Sequence, residues 1–386
     1  MSGALAGIRV LELGQVLAGP FAGAIFADLG AEVVKLERIE GGDDARKMGP
    51  AFRHGDALNF HIFNRGKKSV AIDLKSQAGK DAFERLAAAS DIFIHNMRPG
   101  VTEALGIDGP ALCARHPRLV YCGISAFGDA GPMRMHPGYE PLIQAFSGLS
   151  STNGGPDDPP MRTGASVCDQ GTGMWAVIGA LALLQRRSVT ERGGVVGASL
   201  LETALVWNGQ KADGFVNQGK LPDRHRSGHP GFVPYEAFDT ADAPLLICCG
   251  NDRLFAKFAA VLGRPDWVQD PRFATNRARL ANKAALLAEM NPLLRTQPRA
   301  EWIARFEAAG VPCAPIHTVP EILAHPQARA LGMRYEMPGE NFSLTALPFT
   351  IDGERPRPQG NAPRLGQHNA EYNAPPLPDA ASHGPA

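Results

Sequence analysis

Short β-rich runs alternate with helical patterns through the first 125 residues, and that alternation restricts the fold more than any other feature of the chain. Ile8–Leu13 predicts a strand, Gly19–Leu29 a helix of small residues, and Glu32–Leu36 and Ser69–Leu74 two further strands. A helical pattern over Gly79–Ala89 leads into strand signals at Asp91–His95 and Leu119–Ser125. Strands separated by helices are joined by crossovers rather than hairpins, which predicts an α/β fold with a Rossmann-like parallel sheet covered on both faces. Ligands of such sheets lie beyond the carboxyl ends of the strands. The residues that follow those runs, Gln15–Ala18, Arg38, Lys75 and Asn96, are therefore the site candidates that topology alone selects.

Several familiar chemistries are absent. The first strand is followed by Gly14-Gln15-Val16-Leu17-Ala18-Gly19-Pro20, which does not fit the glycine pattern of dinucleotide enzymes. There is no phosphate-binding P-loop and no HExxH metal pair, and Gly123-Ile124-Ser125-Ala126-Phe127 lacks the last glycine of a nucleophile elbow. A polar break near Arg186–Gly194 is followed by a strand at Val195–Ala198 and a helix over Ser199–Gly214. The Gly/Pro-rich stretch His225–Pro234 then leads into strands at Tyr235–Thr240 and Leu245–Cys249 and a mostly helical region. The expected organisation is a large domain over residues 1–224, completed by 331–372, and a smaller α/β domain over 225–330. A Pro/Ala-rich tail over 373–386 is expected to be disordered.

With 39 basic and 39 acidic residues the chain carries no net charge, which argues against a nucleic-acid or membrane-surface partner. No uninterrupted apolar run reaches the ~18–20 residues of a membrane span. The opening residues lack the charged and apolar blocks of a signal peptide. Six scattered cysteines without zinc-type spacing read as reduced thiols, so a cytoplasmic protein with no metal site is expected.

Asp169 lies between an extended run and apolar positions at helical spacing (Met174, Val177, Ile178, Leu181, Leu184). It falls about where an N-cap belongs, where the helix start lowers a carboxyl pKa and keeps it ionised. An ionised carboxylate at a strand–helix junction can attack an acyl group. A plain helix cap is the ordinary alternative for one such residue. Cys168 beside it reads as a small buried side chain.

Further motifs occur in a fixed order. Gly7-Ile8-Arg9-Val10-Leu11-Glu12-Leu13 with Ala18-Gly19-Pro20 is followed by Asp28-Leu29-Gly30-Ala31-Glu32-Val33-Val34-Lys35-Leu36-Glu37 and Asn64-Arg65-Gly66-Lys67-Lys68-Ser69. Asn96-Met97-Arg98-Pro99-Gly100, Gly138-Tyr139-Glu140, Ser199-Leu200-Leu201-Glu202-Thr203-Ala204, Val233-Pro234-Tyr235 and Gly366-Gln367-His368 complete the series. Over roughly residues 5–368 the chain resembles the family III CoA transferases, whose fold is shared by α-methylacyl-CoA racemase. The resemblance implies that Asp169 is a nucleophile forming acyl-aspartyl anhydride and aspartyl-CoA thioester intermediates. It implies no permanently bound cofactor, with coenzyme A or acyl-CoA as substrate and a carboxylic acid as acceptor. Gln15, Tyr139 and main-chain N–H groups at the helix start after Asp169 are the implied oxyanion donors. Leu17, Ala18, Arg38, Ile72, Leu74, Lys75, Asn96, Met97, Arg98 and Glu140 match positions that bind CoA. The Asn64–Lys68 segment, with its three cations, is a further candidate near the nucleotide. An interlocked homodimer is also implied.

The pattern is nearest to the succinate–hydroxymethylglutarate type, which suggests a succinyl-CoA-like donor, with Arg46, His229 and Arg162 as candidate contacts for a distal carboxylate. Three features depart from the family: Ala104 stands where relatives often carry an arginine, and Cys248-Cys249-Gly250-Asn251-Asp252 replaces a run of glycines. A Pro-rich tail follows Gly366-Gln367-His368 in place of a helical C-terminus. Racemase chemistry is the second reading, disfavoured because a His–Asp pair gives way to Tyr139-Glu140 and tyrosine is a weak base near neutral pH. A CoA-binding protein without turnover is the third.

Overall fold

The computed structural model describes residues 3–377. The chain divides into two compact units. The first runs to Leu149, resumes over Arg162–Asp213 and returns from Gly332; the second takes Ser150–Met161 and Gly214–Leu331. The boundary thus differs from the expected 224/225. Residues 150–161 belong with the second unit because Arg226 N–H donates to the Gly154 carbonyl (2.8 Å) and Arg224 Nη2 to the Pro156 carbonyl (3.0 Å).

The first unit is built on six parallel strands: β1 (Arg9–Leu13), β2 (Glu32–Glu37), β3 (Lys68–Ala71), β4 (Ile92–His95), β5 (Val120–Ser125) and β6 (Gly194–Ser199). Their spatial order is β3-β2-β1-β4-β5-β6. The central strands carry the apolar pairs and triplets expected of a sheet buried on both faces (Val10, Leu11; Val33, Val34; Ile92, Phe93, Ile94), interrupted in β1 and β2 by the buried charges Glu12 and Lys35. Helix α1 (Ala18–Asp28) is almost wholly buried on one face, and α2 (Gln77–Ala88) turns Ala82, Phe83 and Leu86 to the other. A short α3 (Glu140–Phe146) precedes the long α4 (Val167–Thr190), and α5 (Leu200–Trp207) follows β6. The expected helix over 199–214 is two helices, broken at Asn208 before a second one over Gly209–Gln218.

Helix α4 has 24 residues and is long and apolar enough, by length and composition, to cross a bilayer, although its unbroken apolar stretch is shorter than the ~18–20 residues of a span. Its buried residues Ala176 and Ala180 belong to the core that also contains α1. The outer edge of β3 is sealed by residues far along the chain. His368 N–H donates to the Ser69 carbonyl (2.9 Å), and Asn369 bonds both the N–H and the C=O of Ala71 (2.9 Å each). Of the expected disordered tail, 373–377 carry fixed bonds, since Arg85 Nη2 donates to the Asn373 carbonyl and Asn369 Nδ2 to that of Pro375. Residues 378–386 lie outside the described residues.

The second unit has an antiparallel sheet, β7 (Tyr235–Asp239), β8 (Pro244–Cys248) and β9 (Cys313–Pro315), with β8 central. Helices α6 (Asp252–Val261), α7 (Lys283–Leu294) and α8 (Arg299–Ala309) pack on it around Phe255, Phe258, Trp267 and Phe306.

Candidate active site

At β1 and β4 the strand order reverses, which leaves a crevice at the carboxyl ends where the two connections part. A cavity of about 510 Å³ lies there. After β1 it is lined by Gln15, Leu17 and Ala18, and after β4 by Asn96, Met97 and Arg98. Arg38, Tyr139, Glu140 and Asp169 complete the candidates that the sequence reading brought forward and the structure brings together. Ile72, Leu74 and Lys75 are not among the lining residues: they follow β3 at the sheet edge, where Ile72 is buried in the core and Lys75 faces solvent.

Asp169 differs from the expected N-cap. Helix α4 begins at Val167 with Ser166 as N-cap, so Asp169 is its third residue. The capping carboxylate is Glu140, from the start of α3. One of its oxygens accepts the Asp169 N–H (2.7 Å), and the other accepts the Cys168 N–H (3.2 Å) and Gln144 Nε2 (2.7 Å). Glu140 is buried, and both of its oxygens accept hydrogen bonds at the helix start while the residue also lines the cavity. For the same reason the first N–H groups of α4 are not free oxyanion donors: those of Val167 and Gln170 go to the Ala165 and Ser166 carbonyls, and the next two go to Glu140. The expected lowering of the Asp169 pKa is also reversed. Burial pushes the carboxyl up to about 7, and the Glu140 charge adds to it.

Glycine brings this carboxylate to the cavity. A Cβ on Gly173 would stand 2.8 Å from the Ala18 carbonyl oxygen, so only glycine lets α4 lie this close to the start of α1. Cys168 is fully buried and its thiol is pushed up to about 12 by burial, beside Glu140, which leaves it un-ionised.

The turn between β1 and α1 is held from several sides. Asn96 Oδ1 accepts the Gln15 N–H (2.7 Å) while Asn96 Nδ2 donates to the Gln15 carbonyl (2.8 Å). The Val16 N–H donates to Asp43 Oδ1 (2.9 Å). Val16 has a φ of +64°, which costs a β-branched residue about 1–3 kcal/mol. Behind the turn Lys35 Nζ meets Asp43 (2.8 Å), Glu12 (2.9 Å) and the Gly14 carbonyl (2.8 Å), and Lys67 Nζ meets the other Glu12 oxygen (2.6 Å). These charges are buried and mutually compensated. Lys67 thus belongs to the core. The flanking cations of that segment pair with Asp28 (Arg65) and with Glu32 and Glu371 (Lys68), so none of the three is placed for a nucleotide.

The other candidates separate clearly. Tyr139 is 63% exposed at the N-cap of α3 and is no core aromatic. Arg38 bonds the Gly42 carbonyl and Asp44. Arg46 is buried, paired with Glu37 and Asp56 (2.7 Å each) and stacked on Phe60, so it is unavailable to a distal carboxylate. His229, in the second unit, accepts the Gly231 N–H through Nδ1 and packs on Phe232 and Tyr235, a loop-structuring role. Arg162 is exposed. His136 and Asp44 line the cavity and were missed, since His136 lies on a loop and Asp44 opens a single 3-10 turn too short to leave a periodic pattern; His136-Pro137-Gly138 directly before Tyr139 was the available signal. Among the described residues no group of His, Cys, Asp and Glu is arranged to hold a metal ion.

Comparison with known proteins identifies the family. Residues 5–369 match the profile of CoA-transferase family III. An acetyl-CoA:oxalate CoA-transferase of Acetobacter aceti is 35% identical, over 96% of each chain. A succinate–glutarate CoA-transferase of Agrobacterium fabrum is 34% identical, over 96% of this chain and 95% of the relative. The crystal structure of a CAIB/BAIF family protein from Brucella suis superposes with a TM-score of 0.89 at 34% identity, covering 97% of this chain and 99% of that one.

Proposed function

The chain belongs to CoA-transferase family III, and we propose from that premise that it exchanges CoA between a succinyl-CoA-like thioester and a carboxylate through covalent intermediates on Asp169. The observation that carries this reading is the Asp169 carboxylate in the wall of a cavity at the reversal of strand order. The Asp169 carboxylate attacks the thioester carbonyl and the C–S bond breaks, giving an acyl-aspartyl anhydride and CoA thiolate. The thiolate attacks the aspartyl carbonyl and releases the donor acid, leaving an aspartyl-CoA thioester. The acceptor carboxylate attacks that thioester and its C–S bond breaks, giving a second anhydride and CoA thiolate. The thiolate attacks the acyl carbon of this anhydride, which forms the new acyl-CoA and releases the Asp169 carboxylate.

Each addition places negative charge on a carbonyl oxygen that needs donors fixed in advance. With the α4 N–H groups engaged elsewhere, the Gln15 amide and the Tyr139 hydroxyl are the donors that this reading assigns. Arg38 and Arg98 are assigned to the CoA phosphates. A dicarboxylic substrate is supported by relatives named for succinate, glutarate and oxalate, and His136 stands at the cavity for a second carboxylate.

A homodimer is part of the proposal, supported by the exposed Trp175 and Ile178 of α4 and Val206 and Trp207 of α5. A reducing, cytoplasmic setting accords with six cysteines that are all unpaired.

The test is peptide mass spectrometry after incubation with a panel of acyl-CoA donors, succinyl-CoA first, with hydroxylamine to trap the intermediate. A hydroxamate on Asp169, lost in Asp169→Ala together with turnover, is the expected result. Turnover retained by Asp169→Ala would refute the mechanism.

A further inference from the structure

We propose that Asn96 and Asp43 are positioning residues, which together lock the Gln15–Val16 turn in its left-handed conformation and so aim the Gln15 amide into the cavity. This rests on the transferase reading for what Gln15 does there, but not for how the turn is held. Val16 is β-branched and its φ of +64° is one that such a residue leaves unless it is constrained. The constraint comes from two separate loops. Asn96, after β4, presents an amide to both backbone polar groups of Gln15 (2.7 and 2.8 Å), as a neighbouring strand would. Asp43 fixes the next N–H (2.9 Å) and is itself held by the buried Lys35 (2.8 Å). Every polar atom of the Asn96 amide that faces the turn is thereby used, although the residue lines the cavity and matches a CoA-contact position. The Gln15 side-chain amide, by contrast, has no hydrogen-bond partner among the described residues and lines the cavity with Asp169. A free donor carried on a strained turn is the arrangement expected where the strain serves orientation.

The experiment compares Asn96→Ala with the doubles Asn96→Ala/Val16→Gly and Asn96→Ala/Val16→Ala. Hydrogen exchange over residues 14–18 is read without substrate, and kcat and KM are read with succinyl-CoA and glutarate. In Asn96→Ala, exchange should rise roughly tenfold or more, and kcat should fall roughly a hundredfold while KM for succinyl-CoA changes by less than about threefold. Glycine tolerates the left-handed region and alanine does not, so Val16→Gly should recover at least about tenfold of the lost kcat and Val16→Ala none. Unchanged exchange, a loss confined to KM, or equal responses to glycine and alanine would overturn the proposal. A wild-type protein with no turnover on this pair would count against the transferase reading, and the exchange result alone would then decide the role of Asn96. If Asn96→Ala does not fold, the isosteric Asn96→Asp, which sets a carboxylate oxygen against the Gln15 carbonyl, carries the same comparisons.

Discussion

Asp169 and Glu140 meet at one helix start, where the Glu140 carboxylate accepts the Asp169 N–H. Burial raises the Asp169 carboxyl to about 7, with the Glu140 charge adding to it, so in the free enzyme the nucleophilic form is gained as pH rises through neutrality. The kcat/KM profile of CoA transfer should therefore climb across about pH 7. Glu140→Gln should move that acid limb to lower pH, which a pH–rate profile of the variant measures; an unmoved limb would separate Glu140 from the nucleophile. The raised pKa also has a stability consequence. The folded protein holds a proton on Asp169 that the unfolded chain releases between the ordinary aspartate value and 7, so stability falls as pH rises through that window. Asp169→Asn should accordingly melt a few degrees higher than the wild type above pH 7. The position of Asp169 before an apolar helix was legible in the sequence, and the ordered motifs around it, not that position alone, brought it forward as a nucleophile. Its burial, and its neighbour Glu140 29 positions away, were not legible.

Among the elements, the strands were legible because their apolar residues cluster between helical patterns despite the buried Glu12 and Lys35, and the loops that follow them located Gln15, Asn96 and Arg38 at the cavity. The same rule also selected Lys75 after β3, and that residue lies at the sheet margin rather than in the cavity lining. Which strand lies at the margin is a property of the order of the sheet, and no local pattern encodes it. Contacts between elements yield two further predictions. Gly173→Val should cost about 1–3 kcal/mol in urea unfolding by forcing α4 away from the Ala18 carbonyl, and it should depress transfer by displacing Asp169. His95 at the end of β4 is held neutral, its pKa pushed down to about 4 by burial, with Nδ1 accepting the Met97 N–H and Nε2 facing the Tyr121 hydroxyl (2.6 Å). Its neutral form is favoured by folding, so its contribution is complete above the ordinary histidine value and is lost as pH falls from there toward 4. Acid unfolding curves should show that slope in the wild type and a shallower one in His95→Gln.

For the whole molecule, the exposed apolar faces of α4 and α5 predict that the chain does not stay single in solution. Sedimentation velocity at micromolar concentration should return a dimer, and a monomer would remove that part of the proposal. The sealed edge of the large sheet has a consequence in time rather than in space. Strand β3 emerges early in synthesis, yet the residues that cover it are 298 and 299 positions later. At a ribosomal rate of about 5–20 residues per second, its open edge stays uncovered for roughly 15–60 seconds, the interval in which an unpaired strand invites a neighbour. The nascent chain therefore carries an open strand edge while the residues lining the cavity are still being added, which marks that interval as one where a chaperone would have much to do.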